Sequence, residues 1–425
     1  MKGNRKGCMI KKAFLFPGQG TNFRKVISEL YDDSKIFRQT IQEASEYANM
    51  NLYKGYAEQN RDVVWQNRQL YVVVTGVAAF RTLYYFMEKR PEYMAGHSLG
   101  EITALTCAGS ISLKQAVEIT VFREKEMLAA SEKVDGTMVS VIFHTPAALN
   151  AIEEACKQYA GEKEIVSVGL YNSNQQVVLS GHTKVLKELT VYLNELGYET
   201  KILQLPGAFH SQCMCEVQRK LEDQLRNYEF RLPDIAVVSW ITGKPYECKE
   251  DIKPMLARQL TAPVLWNRVI QYLECHNVGK AFEISSAGYL RNISGNNNRF
   301  FEIEPVCSMK EIKKVVEWEK NIPNMDIIDK NRSITFLKNC LLSVICTKNK
   351  ILSEQQYEHN VVAPYRKIQR MLDDVKAGTV QMNNTHILEI GRSLYSILSR
   401  KGLSEQEAET QVKEIFYNCG LGHLN

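Results

Sequence analysis

The sequence predicts an α/β protein with a small inserted subdomain and an all-helical region at the C-terminal end. Three observations predict it. Two apolar strands run into tight turns, the second of which carries Ser98. Six short elements in the order β-α-β-β-α-β occupy about residues 134–205. From about Met309 onward, glycine and strand signals fade and helical patterns dominate.

Length and composition fit a folded chain with more than one unit. A single core rarely grows much past about 300 residues, and this chain has 425, of which 44% are hydrophobic and 24% charged. We therefore expect a large domain over 11–308 and a helical region of unknown role over 309–425. The net charge of +5 is small against 53 basic and 48 acidic side chains, so no nucleic-acid partner is expected.

Cysteine usage and apolar run lengths indicate the compartment. The 11 cysteines lack the paired spacing of zinc sites, so we expect reduced thiols in a cytoplasmic protein and no metal. The apolar run Ala13–Phe16 stops at Pro17 and is too short for a signal peptide. No run approaches 18 apolar residues, and no membrane association is expected.

The elements of the large unit follow from apolar runs bounded by turn residues. Strands are predicted where four or five apolar residues meet glycine or proline, and helices where apolar residues recur at helical spacing. In order, they are strand Ala13–Phe16, turn Pro17–Gly20, helix Leu70–Arg90, strand Tyr93–Gly96, helices Leu99–Ala108 and Leu113–Ser131, helix Cys213–Asn227, strand Ile235–Val238 and a last strand at Lys280–Ile284.

The inserted segment alternates strands and helices in the split ferredoxin-like order. Its predicted elements are strand Thr137–Ile142, helix Ala147–Tyr159, strand Ile165–Tyr171, strand Gln176–Ser180, helix Lys184–Leu196 and strand Thr200–Leu205. In the C-terminal region we predict helices Glu311–Lys320, Ser353–Val375 and Ile387–Lys401. Gly378 is expected to cap a helix C terminus, and Ser404 with Glu407 forms a capping box.

The segment Gly96-His97-Ser98-Leu99-Gly100 matches a G-x-S-x-G nucleophile elbow. In that turn a serine hydroxyl projects from between a strand and a helix, and the N–H of the following residue faces an oxyanion. The serine needs a base. Spacing does not choose among the eight histidines, but His210 is favoured because it lies in a loop leaving a strand. The full set is His97, His144, His182, His210, His276, His359, His386 and His423.

Several blocks in order resemble the malonyl-CoA:acyl carrier protein transacylases and the acyltransferase domains of polyketide synthases. They span about residues 11–295 and are Phe16-Pro17-Gly18-Gln19-Gly20, Gly96-His97-Ser98-Leu99-Gly100-Glu101, Arg123, Asn172-Ser173 through Gly181, Ala208-Phe209-His210-Ser211 and Ala262-Pro263-Val264-Leu265-Trp266. The resemblance implies an α/β-hydrolase-like large subdomain with an inserted ferredoxin-like subdomain. It also implies Ser98 as nucleophile, His210 as base, and the backbone N–H groups of Gln19 and Leu99 as the oxyanion hole.

The same resemblance implies a set of substrate-binding residues. Arg123 would pair bidentately with the free carboxylate of a malonyl group. Gln259 would close the pocket near the acyl group, and Asn172 would line the site. Phe209 would fill the space that a 2-methyl branch needs, although Gly207 departs from the histidine usual in the family. Lys201 is a candidate contact for a coenzyme A phosphate.

The resemblance implies transfer of malonyl from coenzyme A to a phosphopantetheinylated acyl carrier protein, without a cofactor. Because no synthase or carrier domain is recognisable in the chain, we expect it to act in trans for a polyketide assembly line. Its C-terminal helices are candidates for docking synthase modules. Two alternatives remain open: an acyl hydrolase that clears carrier proteins, and a non-catalytic module that docks them.

Overall fold

The structure is a computed structural model that describes residues 11–58, 64, 66–205, 207–276, 278–295, 301–320, 328–349 and 353–421. His423, one of the eight candidate bases, lies outside these residues. Across the described ranges, every helix is too short or too polar to span a bilayer.

A six-stranded sheet forms the centre of the large unit, in the order β10-β9-β1-β2-β7-β8. All neighbouring strands are parallel except β7 and β8. The strands are β1 (Lys11–Phe16), β2 (Tyr93–Gly96), β7 (Ala236–Ser239), β8 (Lys244–Pro245), β9 (Val278–Glu283) and β10 (Glu302–Pro305). The α/β prediction is confirmed. In β1 and β2, Phe16 lies opposite Gly96, so both strands deliver their following turns to one edge of the sheet.

The expectation that the sheet ends at Lys280–Ile284 is wrong. That segment is the interior strand β9, and β10 pairs outside it in parallel register. The β10 sequence alternates glutamate with an apolar residue and ends in proline, which suits an edge strand but gives a weak apolar signal.

Helices cover both faces of this sheet. Those of the large unit are α1 (Phe23–Leu30), α2 (Lys35–Tyr47), α3 (Leu52–Ala57), α4 (Arg68–Phe86), α5 (Gly100–Cys107), α6 (Leu113–Lys133), α9 (Cys215–Leu225), α10 (Ile252–Arg258), α11 (Trp266–Cys275) and α12 (Tyr289–Ile293). Ser112 and Gln115 form a capping box that starts α6. Helices α1, α2, α3, α10, α11 and α12 were not predicted. Helices α3, α10 and α12 have seven residues or fewer, and the helical spacing of the apolar residues in α1, α2 and α11 was missed.

The inserted subdomain has the predicted β-α-β-β-α-β order. Its strands, in sheet order β4-β5-β3-β6, are all antiparallel, and two helices pack on one face. The elements are β3 (Gly136–Ile142), α7 (Pro146–Tyr159), β4 (Val166–Ser173), β5 (Gln176–His182), α8 (Thr183–Glu195) and β6 (Glu199–Ile202). Val139 and Val141 point into the subdomain's own core, whereas Met138 joins the core of the large unit. Alternate residues of β3 therefore face the two subdomains.

The C-terminal unit is a helical bundle with its own hydrophobic cluster, which begins at Ile328. Its helices are α14 (Lys330–Cys346), α15 (Glu354–Tyr357), α16 (Ala363–Ala377), α17 (Asn384–Arg400) and α18 (Glu405–Asn418). A π-helical turn over Glu358–Val362 divides the single helix predicted over Ser353–Val375. Gly378 caps α16 with φ +79°, and the Ser404–Glu407 capping box is present, both as predicted.

Helix α13 (Met309–Lys320) packs on the large unit. Ile312 and Val315 belong to the first hydrophobic cluster, and Glu319 forms a buried ion pair with Lys12 of β1. Glu319 also accepts from the backbone N–H groups of Glu88 and Lys89. We propose that the boundary between the two units lies after Lys320 instead of at 309, because α13 has its apolar contacts with the catalytic half.

Candidate active site

A nucleophile elbow joins β2 to α5. Ser98 has φ +53°, a left-handed conformation that is strained for a residue with a side chain. A Cβ added to Gly96 would lie 2.0 Å from the Gly100 carbonyl carbon, and one added to Gly100 would lie 2.0 Å from the Phe16 carbonyl oxygen. Since only glycine fits at both positions, the turn closes tightly and projects the serine hydroxyl from the sheet edge.

His210 is the partner of Ser98. Its Nε2 lies 2.7 Å from the serine Oγ, within the reach required of a general base. The other ring nitrogen, Nδ1, makes no hydrogen bond of normal geometry among the described residues, although the carbonyls of Gln259 and Ala262 face the ring. The structure thus pairs Ser98 directly with His210, and the Gln259 and Ala262 backbones lie near the other side of the ring.

The environment keeps the His210 imidazole neutral. Burial lowers its pKa to about 3, the charges of Arg123 and His97 act in the same direction, and the carbonyls of Gln259 and Ala262 oppose them. At neutral pH the ring is therefore uncharged, and the lone pair of Nε2 is free to face the Ser98 hydroxyl.

Trp240 contacts both Ser98 and His210. The sequence did not predict it as a site residue. Its Nε1 donates to the Ser98 carbonyl at 3.2 Å, and its ring contacts the edge of the His210 ring with centroids 5.4 Å apart. The available signal was its position directly after β7, at the carboxyl edge of the parallel sheet, where functional residues collect.

The backbone N–H groups of Gln19 and Leu99 are available to an oxyanion. Neither donates to another group among the described residues. The turn after β1 lies against the elbow, since a Cβ on Gly18 would be 3.7 Å from the Leu99 nitrogen. Leu99 also precedes the first residue of α5, where the helix dipole favours negative charge.

Arg123 is buried in α6, with only 2% of its surface exposed. Its Nη1 donates to Oε1 of Gln69, and its Nε has no partner among the described residues. Burial lowers the pKa of Arg123 to about 10, so the guanidinium stays protonated at neutral pH. Its positive charge helps to lower the pKa of His210. The neighbouring Glu124 does not form an ion pair with Arg123. Its carboxylate accepts from the backbone N–H groups that start α4.

A small cavity lies beside Gln69, the hydrogen-bond partner of Arg123. It is lined by Gln19, Arg68, Gln69, Glu124, Met127, Leu128 and Phe209. Phe209 is buried, and its backbone carbonyl accepts from the Ser180 hydroxyl at 2.6 Å. Gln19, Phe209 and the partner of Arg123 therefore meet at one place beside the dyad.

Gln259 belongs to a second buried network behind His210. Its Nε2 donates to Glu101, whose other oxygen accepts from the Tyr246 hydroxyl at 2.9 Å. Burial raises the pKa of Glu101 to about 7, against the effect of its hydrogen bonds. The roles of Glu101 and Tyr246 were missed. Glu101 is the last residue of the block that contains Ser98, but its hydrogen-bond partners Tyr246 and Gln259 are more than a hundred residues away in sequence.

Asn172 lies beside the elbow. Its Oδ1 is 3.0 Å from Nε2 of His97, the residue before the nucleophile. Lys201 is exposed on β6, and no described contact connects it to the dyad. It pairs with Ser140 across the sheet, so both side chains lie on the face that carries Met138 toward the large unit. The structure therefore brings Asn172 to the site and leaves Lys201 at its margin.

Known proteins resemble this chain in sequence and in fold. Residues 13–286 match the acyl transferase domain family. A malonyl CoA-acyl carrier protein transacylase of Bacillus subtilis is 25% identical over 384 residues, covering 88% of this chain and 92% of its own. One of Escherichia coli K12 is 31% identical over 292 residues, covering 67% and 92%.

A solved structure of a malonyl-transacylase in complex with a type II PKS acyl-carrier protein superposes with a TM-score of 0.68. It is 28% identical and covers 72% of this chain and 99% of its own. The family match, the curated relatives and this structure agree with the dyad and with the two-subdomain fold. This chain belongs to the acyl transferase domain family and, within it, to the malonyl CoA-acyl carrier protein transacylases.

Proposed function

We propose that this acyltransferase moves a malonyl group from coenzyme A to the thiol of an acyl carrier protein through an ester on Ser98. One observation carries the proposal: a serine–histidine pair at 2.7 Å is within electrostatic range of the buried Arg123 guanidinium, whose Nε has no partner among the described residues. The dyad supplies a nucleophile and a base. The guanidinium supplies a counter-charge for a substrate that has a carboxylate besides its reacting carbonyl.

In the acylation half, Nε2 of His210 accepts the Ser98 proton while Oγ attacks the thioester carbonyl. The resulting oxyanion is bound by the N–H groups of Gln19 and Leu99. When the carbonyl re-forms, the carbon–sulfur bond breaks and the protonated histidine returns its proton to the departing thiolate.

In the transfer half, the same imidazole accepts the proton of the carrier thiol, whose sulfur attacks the serine ester. The oxygen–carbonyl bond then breaks, and the proton returns to Ser98. Burial of His210 favours its neutral form before each half, which leaves it ready to accept a proton twice in one cycle.

Substrate choice follows from Arg123 and Phe209. A monocarboxylic chain would leave the buried guanidinium unpaired, which is costly. Phe209 lines the small cavity beside Gln69, the hydrogen-bond partner of Arg123, although one methyl group is worth only about 1 to 3 kcal/mol of discrimination. Gly207 has φ +130°, and a Cβ there would meet the Ser131 hydroxyl at 2.4 Å. The histidine usual in the family therefore does not fit here.

We further propose that the protein acts in trans for a polyketide assembly line and that its C-terminal unit contacts synthase modules. Support comes from the structural likeness to a malonyl-transacylase bound to a type II PKS acyl-carrier protein. The Bacillus subtilis relative covers 88% of this chain, a share too large for residues 1–320 alone, so it extends into the C-terminal unit. Lys201 is proposed to meet a coenzyme A phosphate at the margin of the cleft.

The test is a transfer assay with malonyl-CoA, with and without a phosphopantetheinylated carrier protein. Mass spectrometry of the carrier and quantitation of free malonate follow both fates of the acyl group. We expect malonyl on the carrier to form faster than free malonate. Release mainly to water would identify a hydrolase, and binding of the carrier without release of coenzyme A would identify a docking module.

A further inference from the structure

Glu101 is a buried carboxyl group that no step of the proposed reaction uses. It lies in the first turn of α5, three residues after Ser98, and none of its surface is exposed. Four neutral donors converge on this carboxyl group: the Tyr246 hydroxyl, which donates to Oε1 at 2.9 Å, Nε2 of Gln259, which donates to Oε2, the Ser239 hydroxyl and the Trp240 backbone N–H.

Packing alone does not require a carboxyl group at this position. A buried carboxyl group is unfavourable unless hydrogen bonds replace the water that it loses, and an apolar side chain of the same size avoids that cost. The donors come from three segments of the chain: the end of β7, the residue after β8 and the end of α10. Glu101 therefore ties the helix that follows the nucleophile to three segments that are distant from it in sequence.

The first connection from Glu101 to the Ser98–His210 dyad runs through Gln259. Glu101 holds the Gln259 side chain, and the backbone carbonyls of Gln259 and Ala262 face the His210 ring. For Nε2 of His210 to accept the Ser98 proton, Nδ1 must carry the ring proton and needs an acceptor. Nδ1 is buried and has no partner of normal geometry among the described residues. The position of the Gln259 backbone therefore bears on which ring nitrogen is protonated.

The second connection runs through Trp240. Its backbone N–H faces the Glu101 carboxyl group, and its Nε1 donates to the Ser98 carbonyl at 3.2 Å. Its ring contacts the edge of the His210 ring, with centroids 5.4 Å apart. Glu101 is thus in contact with two residues, Gln259 and Trp240, that each reach the His210 ring.

We infer that Glu101 is a positioning residue for the dyad: by holding Gln259 and Trp240, its carboxyl group keeps His210 in the orientation and tautomer in which Nε2 accepts the Ser98 proton. Glu101 acts through these two residues and not on the reacting atoms themselves. The inference rests on the proposed function, because the loading of Ser98 is the step that requires this tautomer. Losing the carboxyl group should therefore slow loading without weakening the binding of substrate.

The test compares two substitutions of Glu101 in the full chain. Glu101→Met has nearly the same length but no strong hydrogen-bonding group, whereas Glu101→Gln keeps an amide that bonds Gln259 once that side chain turns over. At saturating malonyl-CoA, we expect Glu101→Met to load Ser98 more slowly by about tenfold or more. Glu101→Gln should stay within about threefold of the unmutated protein. The affinity for malonyl-CoA, measured with Ser98→Ala also present, should change by less than about twofold in both.

The matched control is Glu283→Met, which removes another fully buried carboxyl group of the same unit. Glu283 accepts from the Ser285 hydroxyl at 2.6 Å and from the Arg291 backbone N–H at 3.0 Å. Since neither partner contacts Ser98 or His210 among the described contacts, loading by this variant should stay within about threefold of the unmutated rate.

A spectroscopic measurement separates positioning from packing. The ¹⁵N shifts of His210, in protein labelled at histidine and assigned by comparison with His210→Ala, report which ring nitrogen carries the proton. We expect the proton on Nδ1 in the unmutated protein and a mixture of both tautomers in Glu101→Met. If Glu101→Met does not fold, Gln259→Leu breaks the same connection from its other end and should give the same mixture.

Three results would overturn the inference: unchanged loading by folded Glu101→Met, slower loading with the proton still on Nδ1, or weaker malonyl-CoA binding that accounts for the whole loss. The tautomer measurement needs no substrate, so it separates this inference from the proposed function. An unmutated protein that malonyl-CoA never loads would refute the transferase, and a changed tautomer in Glu101→Met would still leave the positioning role standing.

Discussion

At the scale of single residues, the proposed site consists of a few polar groups, of which His210 and Arg123 are buried and Ser98 is half-buried. Ser98 and His210 both have positive φ, at +53° and +59°, so both backbones are strained at the point where their side chains meet. Motif and family resemblance were sufficient to predict this pair. Trp240, Glu101 and Tyr246 were not predicted, since their roles depend on contacts between segments distant in sequence.

Arg123→Ala should slow malonyl loading by about a hundredfold, because a buried charge-assisted pair with the substrate carboxylate is lost. Acetyl loading should change by less than about threefold, since acetyl has no carboxylate to pair. Lys125→Ala, an exposed position on the same helix, is the control and should match the unmutated protein. Single-turnover loading measured by intact mass decides the outcome. Equal slowing of both acyl groups would make the arginine structural.

Loading should remain fast on acidification well below the ordinary histidine pKa. The base must be neutral, and the pKa of His210 is lowered to about 3, so its neutral form persists as the pH falls from 8 to 5. The measurement is the second-order rate of malonyl loading across that range. A halving near pH 6.5 would contradict the assignment. The pKa of Glu101 is raised to about 7, so a decline that disappears in Glu101→Gln would belong to that carboxyl group instead.

At the scale of elements, the parts that carry the site were the most predictable. The elbow, α6 and the inserted β-α-β-β-α-β unit have strong apolar runs and clear turn residues. Edge strand β10 has only four residues with glutamate at alternate positions, so its local signal is weak and tertiary pairing decides its structure. Helix α11 has its apolar residues at helical spacing, and that pattern was missed. Helix α13 was predicted as a helix, but its attachment to the large unit depends on Glu319 and Lys12, which are 307 residues apart.

Glu319→Ala should lower the free energy of unfolding of the catalytic unit by about 3 to 5 kcal/mol, since Lys12 would remain buried without its partner. Glu317→Ala, an exposed position on the same helix, should change it by less than about 0.5 kcal/mol. Three of the four tryptophans precede α13 and Trp318 lies on it, so the fluorescence change of the buried Trp240 and Trp266 reports on the catalytic unit. An unchanged fluorescence midpoint in Glu319→Ala would place α13 with the C-terminal unit.

At the scale of the whole molecule, a two-subdomain acyltransferase is joined to a helical unit with a separate hydrophobic cluster. Helical periodicity and caps such as Ser404 and Gly378 predicted that this unit is helical. They carried no information on where it packs, because the contact at Gly420 and Glu274 joins residues that local patterns do not relate. Beside this contact, Thr335 and Asn418 of the C-terminal unit line a cleft that Asn172 of the inserted subdomain also lines.

The proposed mechanism requires a malonyl ester on Ser98, and intact-protein mass spectrometry after incubation with malonyl-CoA tests this ester most directly. We predict a gain of one malonyl group per chain, its location on the peptide that contains Ser98, and its disappearance when a carrier protein thiol is added. Ser98→Ala should gain nothing, and His210→Ala should gain the group far more slowly. A malonyl adduct that persists in Ser98→Ala would contradict the account.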